Sequence, residues 1–243
     1  MTADVTADVT ADVSNEVTAD VTDPRARLAV LASGGGSNLQ AILDHFAALG
    51  AAAPGAVVLV VSDRAAAGAL DRARRAGIAT THLPARENHR LLACLEAAGV
   101  THVALAGYLR LIPSEVVAAF RGRLVNIHPA LLPAFGGPGM FGHHVHEAVI
   151  RAGVTTTGAT VHFVDERYDE GAVIAQWAVP VHPTDDAEAV AARVLAVEHR
   201  LYPRCVAALC AGALRLEAGR VVTAPSLPFE RFVPADAPPS HSA

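Results

Sequence analysis

The sequence RLAVLASGGGSNLQAIL, residues 27–43, joins a short apolar run to a helical pattern through three consecutive glycines. The apolar run at 27–33 predicts a buried strand. After the glycines, Leu39, Ile42 and Phe46 repeat at the spacing of one helix face. A strand, a glycine turn and a helix in this order are typical of the first half of a βαβ unit. We therefore expect an α/β domain to begin here.

The alternation of apolar strands with helical patterns continues along the chain. Near-continuous apolar strands are typical of parallel sheets, because helices cover both faces of such sheets. The sequence therefore predicts an α/β fold with a mostly parallel central sheet and helices on both faces. Asp185 and Glu188 resemble a capping box at the start of a long helix. Further strands are predicted at 55–64, 78–84, the start of 101–113, 122–127 and twice within 157–181. Further helices are predicted at 65–77, 87–99, after Pro113, at 143–153 and at 185–212, and a hairpin is predicted at 213–222.

Residues 1–24 differ in composition from the rest of the chain. They contain four copies of TADV, six acids, no base and no aromatic residue. Such a segment buries too little apolar surface to offset its ordering entropy, so we expect a disordered acidic tail. It has neither the basic start nor the apolar stretch of a secretory signal. We expect one folded domain at 25–228 and a loose, Pro- and Ser-rich tail at 229–243.

The charged residues exclude several classes of protein. Without residues 1–24, 18 acids face 19 bases, so the folded part lacks the basic surplus of a nucleic-acid groove. All 19 bases are arginine, which excludes lysine Schiff-base chemistry and a P-loop lysine. No apolar run reaches the roughly 18 residues of a membrane span. Cys94, Cys205 and Cys210 lack metal-ligand spacing and favour a reduced, cytoplasmic protein.

The segment SGGGSNL, residues 33–39, lies between the first predicted strand and helix. Exposed amides at a helix N-terminus bind anions, and glycines let a phosphate approach the backbone. A phosphate monoester is favoured over a dinucleotide, because Leu39 replaces the third glycine of the dinucleotide motif and Asp63 lies beyond the usual spacing. An ordinary turn, with Ser37 as the helix cap, is a third interpretation.

The segment LVNIHP, residues 124–129, places an amide and an imidazole at the end of a predicted strand. Asn126 and His128 point to the same side of an extended chain, and Pro129 keeps His128 out of the helical region. Such a pair suits a carbonyl oxygen that becomes negative in a transition state. A carboxylate that orients the imidazole is expected as well. Spacing does not decide which of the four acids in VDERYDEG has this role: Asp165, Glu166, Asp169 or Glu170.

The segment HHVHE, residues 143–147, offers helically spaced metal ligands, in His143 with His146 or with Glu147. No cysteine or carboxylate cluster in the sequence clearly completes a metal site. A polar helix start beside the active loop is therefore favoured, and we expect no metal.

Five segments, taken in order, resemble one known family. GGGSNLQAI, LAGYLRLI, LVNIHPALLP, GATVHFVDERYDEGAVI and VEHRLYP are similar to segments of the folate-dependent phosphoribosylglycinamide formyltransferases, over about residues 27–223. The resemblance implies a Rossmann-like formyltransferase fold and a cytoplasmic enzyme of de novo purine biosynthesis. It implies transfer of the formyl group of 10-formyltetrahydrofolate, as co-substrate, to the amine of 5'-phosphoribosylglycinamide. It also implies small-molecule substrates, no nucleic-acid or membrane partner, and a monomer or homodimer.

The resemblance implies roles for individual residues as well. Asn126 and a protonated His128 would hold the oxyanion, and Asp169 would favour the charged imidazole. His144 would be the second active-site histidine, and His143 is the alternative for this role because the loop at 134–144 is long. The residues that bind phosphoribosylglycinamide would be Gly36, Ser37, Asn38 and Glu198. The folate-binding residues would be Leu109, Arg110, Leu111, Ile112 and Asp165, with the 165–169 loop as a cover.

Several other functions share these sequence features. Methionyl-tRNA formyltransferases, sugar-nucleotide formyltransferases and formyltetrahydrofolate hydrolases have the same three catalytic residues, which correspond to Asn126, His128 and Asp169. A methionyl-tRNA formyltransferase would need a further basic domain, and a hydrolase would need a regulatory domain N-terminal to the catalytic one. We expect neither domain in this protein. A dinucleotide-binding protein is a more distant alternative, and it would bind NAD without needing His128.

Overall fold

The computed structural model describes residues 25–224 and 231–233. Its strands are β1 Ala26–Leu31, β2 Gly55–Ser62, β3 Ala79–His82, β4 His102–Leu105, β5 Leu124–His128, β6 Thr156–Phe163, β7 Val173–Pro180, β8 Leu214–Glu217, β9 Arg220–Thr223 and β10 Phe232–Val233. Its α-helices are α1 Ser37–Leu49, α2 Gly68–Arg75, α3 Leu91–Ala97, α4 Ser114–Ala119, α5 His143–Ala152 and α6 Ala187–Cys210. Short 3₁₀ helices cover Gly50–Ala52 and Ala85–Arg90.

Eight of the described strands form one sheet, in the order β10-β7-β6-β5-β4-β1-β2-β3. Strand β6 runs antiparallel to its neighbours β5 and β7, and the other neighbouring strands of this sheet are parallel. The prediction of a mostly parallel sheet is therefore confirmed. The predicted hairpin near the C-terminus is also present, and its strands β8 and β9 form a separate two-stranded sheet.

Apolar residues of β1 alternate between the two faces of the sheet. Leu28 and Val30 belong to a core shared with α1, α2, α5 and α6. Ala29 and Leu31 belong to a second core shared with α3 and α4. Each fully buried leucine stabilises the folded state by about 1.5–3 kcal/mol relative to an exposed one. The predicted cover of helices on both faces is confirmed.

Helix α6 is anchored to the sheet by a buried hydroxyl. The Tyr202 hydroxyl donates to the Leu105 carbonyl oxygen at 2.7 Å. Leu105 is the last residue of β4, so this bond fixes α6 at the carboxyl ends of the central strands. Glu198, one turn before Tyr202, consequently lies near the same edge.

The start of α6 differs from the sequence prediction. The side chain of Asp186 caps the helix by accepting from the Ala189 N–H at 2.8 Å. The predicted capping role of Asp185 is therefore wrong. The Asp185 carboxylate instead pairs with Arg193, at 2.6 Å. The two acids are adjacent in sequence, and the side chain of Arg193 decides which of them is left for the cap.

Strand β10 lies within 229–243, which the sequence predicted to be a loose tail. It pairs in parallel with β7, so the prediction of a loose tail is wrong for residues 232–233. The predicted acidic tail at 1–24 and residues 234–243 lie outside the described residues. In the described part of the chain, no helix combines the length and the apolar character that crossing a membrane requires.

Candidate active site

A cavity of about 540 Å³ opens beside the carboxyl ends of β4 and β5. Its walls come from the loops after β4 and β5, the start of α5, the turn between β6 and β7, and α6. The strand order reverses nearby, because the chain moves outward from β1 to β3 and then returns to the other side of β1. Open α/β sheets bind ligands at such a switch point.

Asn126 lies on β5 directly opposite His162 of β6. Its Nδ2 is 3.1 Å from His162 Nε2, and His162 Nδ1 is 2.8 Å from the Phe163 carbonyl oxygen. Because a carbonyl only accepts, His162 Nδ1 carries a hydrogen, and Nε2 faces the Asn126 amide. The amide NH₂ of Asn126 is thereby oriented by one of its hydrogens, which leaves the second hydrogen for a ligand.

His128 ends β5 and is almost fully buried. Its Nε2 donates to the Phe135 carbonyl oxygen at 2.8 Å, so Nδ1, 3.5 Å from Asp169 Oδ2, is the nitrogen left for a ligand. Burial lowers the pKa of His128 by more than the Asp169 charge and the Phe135 carbonyl raise it. The ring is therefore neutral near pH 7, whereas the resemblance implied a protonated ring.

Asp169, in the turn between β6 and β7, brings a carboxylate to the same place. Its Oδ2 accepts from the Gly137 N–H at 2.9 Å, and its Oδ1 lies 3.6 Å from His162 Nε2. Burial raises the pKa of Asp169, but His162, His128 and the Gly137 N–H together lower it below its usual value. The carboxylate is therefore ionised at neutral pH. Asn126, His128 and Asp169 all line the cavity and are called the trio below.

The other acids that spacing left open are placed differently. Asp165 lines the cavity and accepts from the Arg167 N–H at 2.9 Å. Glu170 pairs with the Arg167 side chain at 2.7 Å on the surface, and Glu166 is exposed. The tertiary structure therefore selects Asp169 as the acid of the trio.

Two glycines allow close approaches around this turn. A Cβ on Gly136 would lie 2.6 Å from Leu132 Cδ2 and 3.2 Å from Asp169 Cβ. A Cβ on Gly171 would overlap the Phe163 carbonyl oxygen. A side chain at Gly136 would push the loop after β5 away from the turn, and one at Gly171 would disrupt the contact of the turn with the end of β6.

Asn38 and Glu198 form a buried polar corner of the same cavity. The Asn38 Nδ2 donates to Glu198 Oε2 at 2.8 Å, and Asn38 Oδ1 has no partner among residues 25–224 and 231–233. Burial raises the pKa of Glu198 to about 7, against a smaller lowering by Asn38. A buried acceptor without a partner, beside a carboxylate, suits a ligand with hydroxyl donors.

The glycine loop before α1 is shaped for close approach. Gly36 has a φ of 75°, which favours glycine, and a Cβ there would lie 2.7 Å from Ala69 Cα. No side chain caps α1, so Ser37 does not have the capping role of an ordinary turn. The first N–H groups of the helix therefore have no side-chain cap, as an anion site requires.

The predicted phosphate-binding residues do not all lie in the same pocket. Asn38 lines the main cavity, Ser37 lines a second and more open hollow with Arg72 and His199, and Gly36 lines neither. The Arg72 Nε donates to the Gly35 carbonyl oxygen at 2.8 Å. This bond holds a guanidinium charge against the glycine loop.

All five predicted folate-binding residues line the cavity: Leu109, Arg110, Leu111, Ile112 and Asp165. Two backbone groups of this segment already have partners. The Leu109 N–H donates to Ser33 Oγ at 3.0 Å, and Asn88 Nδ2 donates to the Leu111 carbonyl oxygen at 3.1 Å. Apolar walls with fixed backbone groups suit a flat ring with amide edges. Large exposed apolar side chains among the lining residues are Leu111, Phe141, Tyr168 and Leu195.

His144 does not reach the cavity, contrary to the role that the resemblance implied. Its side chain is 65% exposed and lies 3.4 Å from Glu147. Helix α5 begins at His143, so His143 and His146 share one face, and both line the cavity. His146 is buried, its Nδ1 has no partner within the described chain, and burial, followed by His143 and His128, lowers its pKa to about 4.

Sequence reasoning assigned no site role to His162 or Arg72, and it considered His146 only as a metal ligand. A helix-face argument could have found His146, because its spacing from His143 is visible in HHVHE. No local signal marks Arg72, which reaches the glycine loop through the packing of α2. Across residues 25–224 and 231–233, no group of three or more His, Cys, Asp or Glu side chains is arranged to hold a metal ion.

The doubly wound sheet and the trio at its carboxyl edge define a Rossmann-like α/β protein with an amide, an imidazole and a carboxylate in one cavity. The chain belongs to the formyl transferase family, whose model matches residues 26–206. Membership confirms the resemblance and the fold class that the sequence predicted.

Relatives of known name are similar over most of the described chain. Phosphoribosylglycinamide formyltransferase of Escherichia coli K12 is 39% identical over 196 residues, covering 78% of this chain and 89% of that protein. The crystal structure of glycinamide ribonucleotide transformylase 1 from Symbiobacterium toebii has a TM-score of 0.75 and 42% identity, covering 82% of this chain and 94% of that one. The chloroplastic phosphoribosylglycinamide formyltransferase of Vigna unguiculata is 45% identical over 193 residues, which are 76% of this chain. The match spans 61% of that plant protein, less than two thirds of its length.

Proposed function

We propose that the protein transfers the formyl group of 10-formyltetrahydrofolate to the amine of 5'-phosphoribosylglycinamide. The products are formylglycinamide ribonucleotide and tetrahydrofolate, in de novo purine biosynthesis. The observation that carries this proposal is the convergence of the trio, the Asn38–Glu198 corner and the 109–112 segment on one cavity. The names of the Escherichia coli and Symbiobacterium relatives support it.

The nucleotide lies with its phosphate on the glycine loop and its ribose at the polar corner. The uncapped N–H groups at Gly36, Ser37 and Asn38 bind the phosphate, and Arg72 adds a positive charge beside them. The ribose hydroxyls donate to Asn38 Oδ1 and to the Glu198 carboxylate, which satisfies two buried acceptors.

The folate lies with its pterin ring against residues 109–112. Leu109, Leu111 and Ile112 provide apolar contacts, and the backbone of this segment provides hydrogen-bonding groups. Asp165, in the turn that also holds Asp169, lies in the wall of the same cavity. This arrangement brings the formyl group between the trio and the nucleotide amine.

The trio stabilises the negative charge of the transition state. As the amine attacks the formyl carbon, a C–N bond forms and the carbonyl oxygen becomes negative. The second N–H of Asn126 donates to this oxygen. His128 donates to it as well once its Nδ1 has taken up a proton from solvent, which the neighbouring Asp169 charge favours. The bond from carbon to the folate nitrogen then breaks. The amine proton passes to that nitrogen through a water held by Asp169, and no covalent enzyme intermediate forms.

The substrates are small molecules, and no metal takes part. We propose a cytoplasmic location, because Cys94, Cys205 and Cys210 are free thiols, as in a reducing compartment. The catalytic domain corresponds to residues 25–228 together with β10, and residues 1–24 form a tail.

The test is the absorbance of 10-formyltetrahydrofolate mixed with the purified protein, with and without phosphoribosylglycinamide. Loss of the formyl group only when the nucleotide is present is the expected result. Deformylation without the nucleotide would make the protein a formyltetrahydrofolate hydrolase. No reaction under either condition would overturn the proposal and favour a nucleotide-binding protein.

A further inference from the structure

Asp63 is a buried carboxylate behind the cavity wall. It follows β2 directly, and its side chain is only 1% exposed. A dinucleotide-binding protein would offer an acid near this position to a ribose. Here Asp63 Oδ2 accepts from Arg110 Nε at 2.9 Å, and Oδ1 is buried without a hydrogen-bond partner among the described residues. Asp63 does not line the cavity, whereas Arg110 does.

The Asp63 side chain is held in its ionised form. Burial raises its pKa, but the Ser33 hydroxyl and the Arg110 and Arg64 guanidinium groups together lower it below the usual value. The Arg110 side chain is 49% exposed, so solvent screens part of the attraction between the two charges. The ion pair therefore adds little net stability, and its main effect is to fix the position of the Arg110 side chain.

The segment at 107–112 is held to the rest of the fold at several points. The charged contact is the one from Asp63 to Arg110, and the others are neutral hydrogen bonds. These neutral bonds run from Ser33 N to the Gly107 carbonyl at 2.9 Å, from Leu109 N to Ser33 Oγ at 3.0 Å, and from Asn88 Nδ2 to the Leu111 carbonyl at 3.1 Å. A segment held in this way is pre-organised, so a ligand does not have to order it.

We propose that Asp63 is a positioning residue for the folate site. Through its bond to Arg110, it holds the 109–112 backbone in the conformation that receives the pterin ring. The proposal rests on the proposed function, because it requires folate to bind at this segment. It assigns Asp63 no contact with either substrate and no part in the bond-forming step.

The central experiment compares Asp63→Asn with Asp71→Asn. Asp71 is a matched control, because it pairs with Arg74 at 2.8 Å on the surface, with a side chain that is 62% exposed. In Asp63→Asn, the KM for 10-formyltetrahydrofolate and the Kd for tetrahydrofolate by calorimetry should rise about tenfold, because the ligand then has to order the 109–112 segment itself. The kcat value and the KM for phosphoribosylglycinamide should stay within about twofold of wild type.

A double-mutant cycle tests whether Asp63 acts through Arg110. Arg110→Gln alone should weaken folate binding, and adding Asp63→Asn to it should have little further effect. Additive losses would overturn this route. Arg110→Lys provides a second test if Asp63→Asn does not fold, because it keeps the charge without the Nε–H and should also raise the Kd for tetrahydrofolate.

Three outcomes would overturn the proposal. They are wild-type tetrahydrofolate affinity in Asp63→Asn, an equal loss of affinity for both substrates, and a fall in kcat at unchanged KM. Failure of the proposed function looks different, because the wild-type protein itself would then bind no tetrahydrofolate and transfer no formyl group.

Discussion

Asp169, whose side chain is largely buried, and Glu198, which is buried, lie in the wall of one cavity, yet their pKa values shift in opposite directions. Burial raises the pKa of each acid. Asp169 has two imidazole rings and the Gly137 N–H around it, and these lower its pKa below the usual value. Glu198 has the neutral amide of Asn38 as its side-chain partner in the described structure, and its pKa remains raised, at about 7.

The comparison shows that neighbouring groups, and not burial alone, decide the charge of an acid in this cavity. The turn that carries Asp169 keeps a permanent negative charge beside His128. The corner that carries Glu198 stays half-protonated near neutral pH and becomes charged at little cost when hydroxyl donors arrive. The first acid is therefore suited to the chemical step, and the second to substrate binding.

Asp169→Asn should have the largest effect. Removing the charge beside His128 leaves the hydrogen-bonding shape but not the attraction for a proton, so kcat should fall by about 10²–10⁴-fold. Circular dichroism and Tm should show an intact fold. Glu170→Gln, in the same turn but on the surface, is the control and should keep wild-type turnover. An equally active Asp169→Asn would contradict the role of the trio.

Glu198→Gln should affect binding more than turnover. The KM for phosphoribosylglycinamide should rise by about tenfold or more, because a charged acceptor for the ribose is lost. In wild type, affinity for the nucleotide should increase as the pH rises through about 7, where Glu198 ionises. This step should be absent from the variant, and its persistence would show that another group is responsible.

The same substitution should also stabilise the free protein at high pH. The folded-state pKa of about 7 lies above the usual 4.5, so the stability linked to protonation is complete below about pH 4.5 and lost as the pH rises through 7. Glutamine at position 198 carries no charge, so Glu198→Gln avoids this loss. At pH 8 the variant should have a Tm higher by about 2–4 °C for each kcal/mol of unfolding free energy regained, and at pH 5 the Tm should change little. Glu96→Gln, an exposed change on α3, should shift neither Tm nor KM.

His146 extends the comparison to a basic group. Its buried Nδ1 has no partner in the part of the chain that the structure describes, and its ring is neutral at pH 7. Substitution His146→Gln should lower kcat/KM by about tenfold, the loss expected for one hydrogen bond to a substrate. His144→Gln is the matched control on the same helix and should have an effect below twofold. Equal losses in the two variants would contradict this placement.

Deleting residues 1–24 should have the smallest effect. The family match begins at residue 26 and the described sheet at Ala26, so kcat and both KM values should remain within error of the full chain. A large loss of activity would show that the acidic segment contributes to the site.

Most of the fold could be predicted from periodicity. The apolar run after Arg27 and the helix face of Leu39, Ile42 and Phe46 indicate strand and helix without knowledge of their partners. Fine local choices were less accessible. Asp185 and Asp186 are adjacent in sequence, and either residue type can cap a helix. In the structure Asp185 pairs with the Arg193 side chain, and Asp186 caps α6.

Local sequence was sufficient for the α/β class, for the glycine loop, and for the placement of Asn126 and His128 on one side of a strand, because these features depend on neighbouring residues and regular backbone geometry. Other features depended on the folded chain. They are the selection of Asp169 among four acids, the position of His146 rather than His144 in the cavity, the opposite pKa shifts of Asp169 and Glu198, and the contact of Asp63 with Arg110. The reason is physical. Distances and desolvation between side chains that are far apart in sequence are set by how the sheet, the turn and the helices pack together.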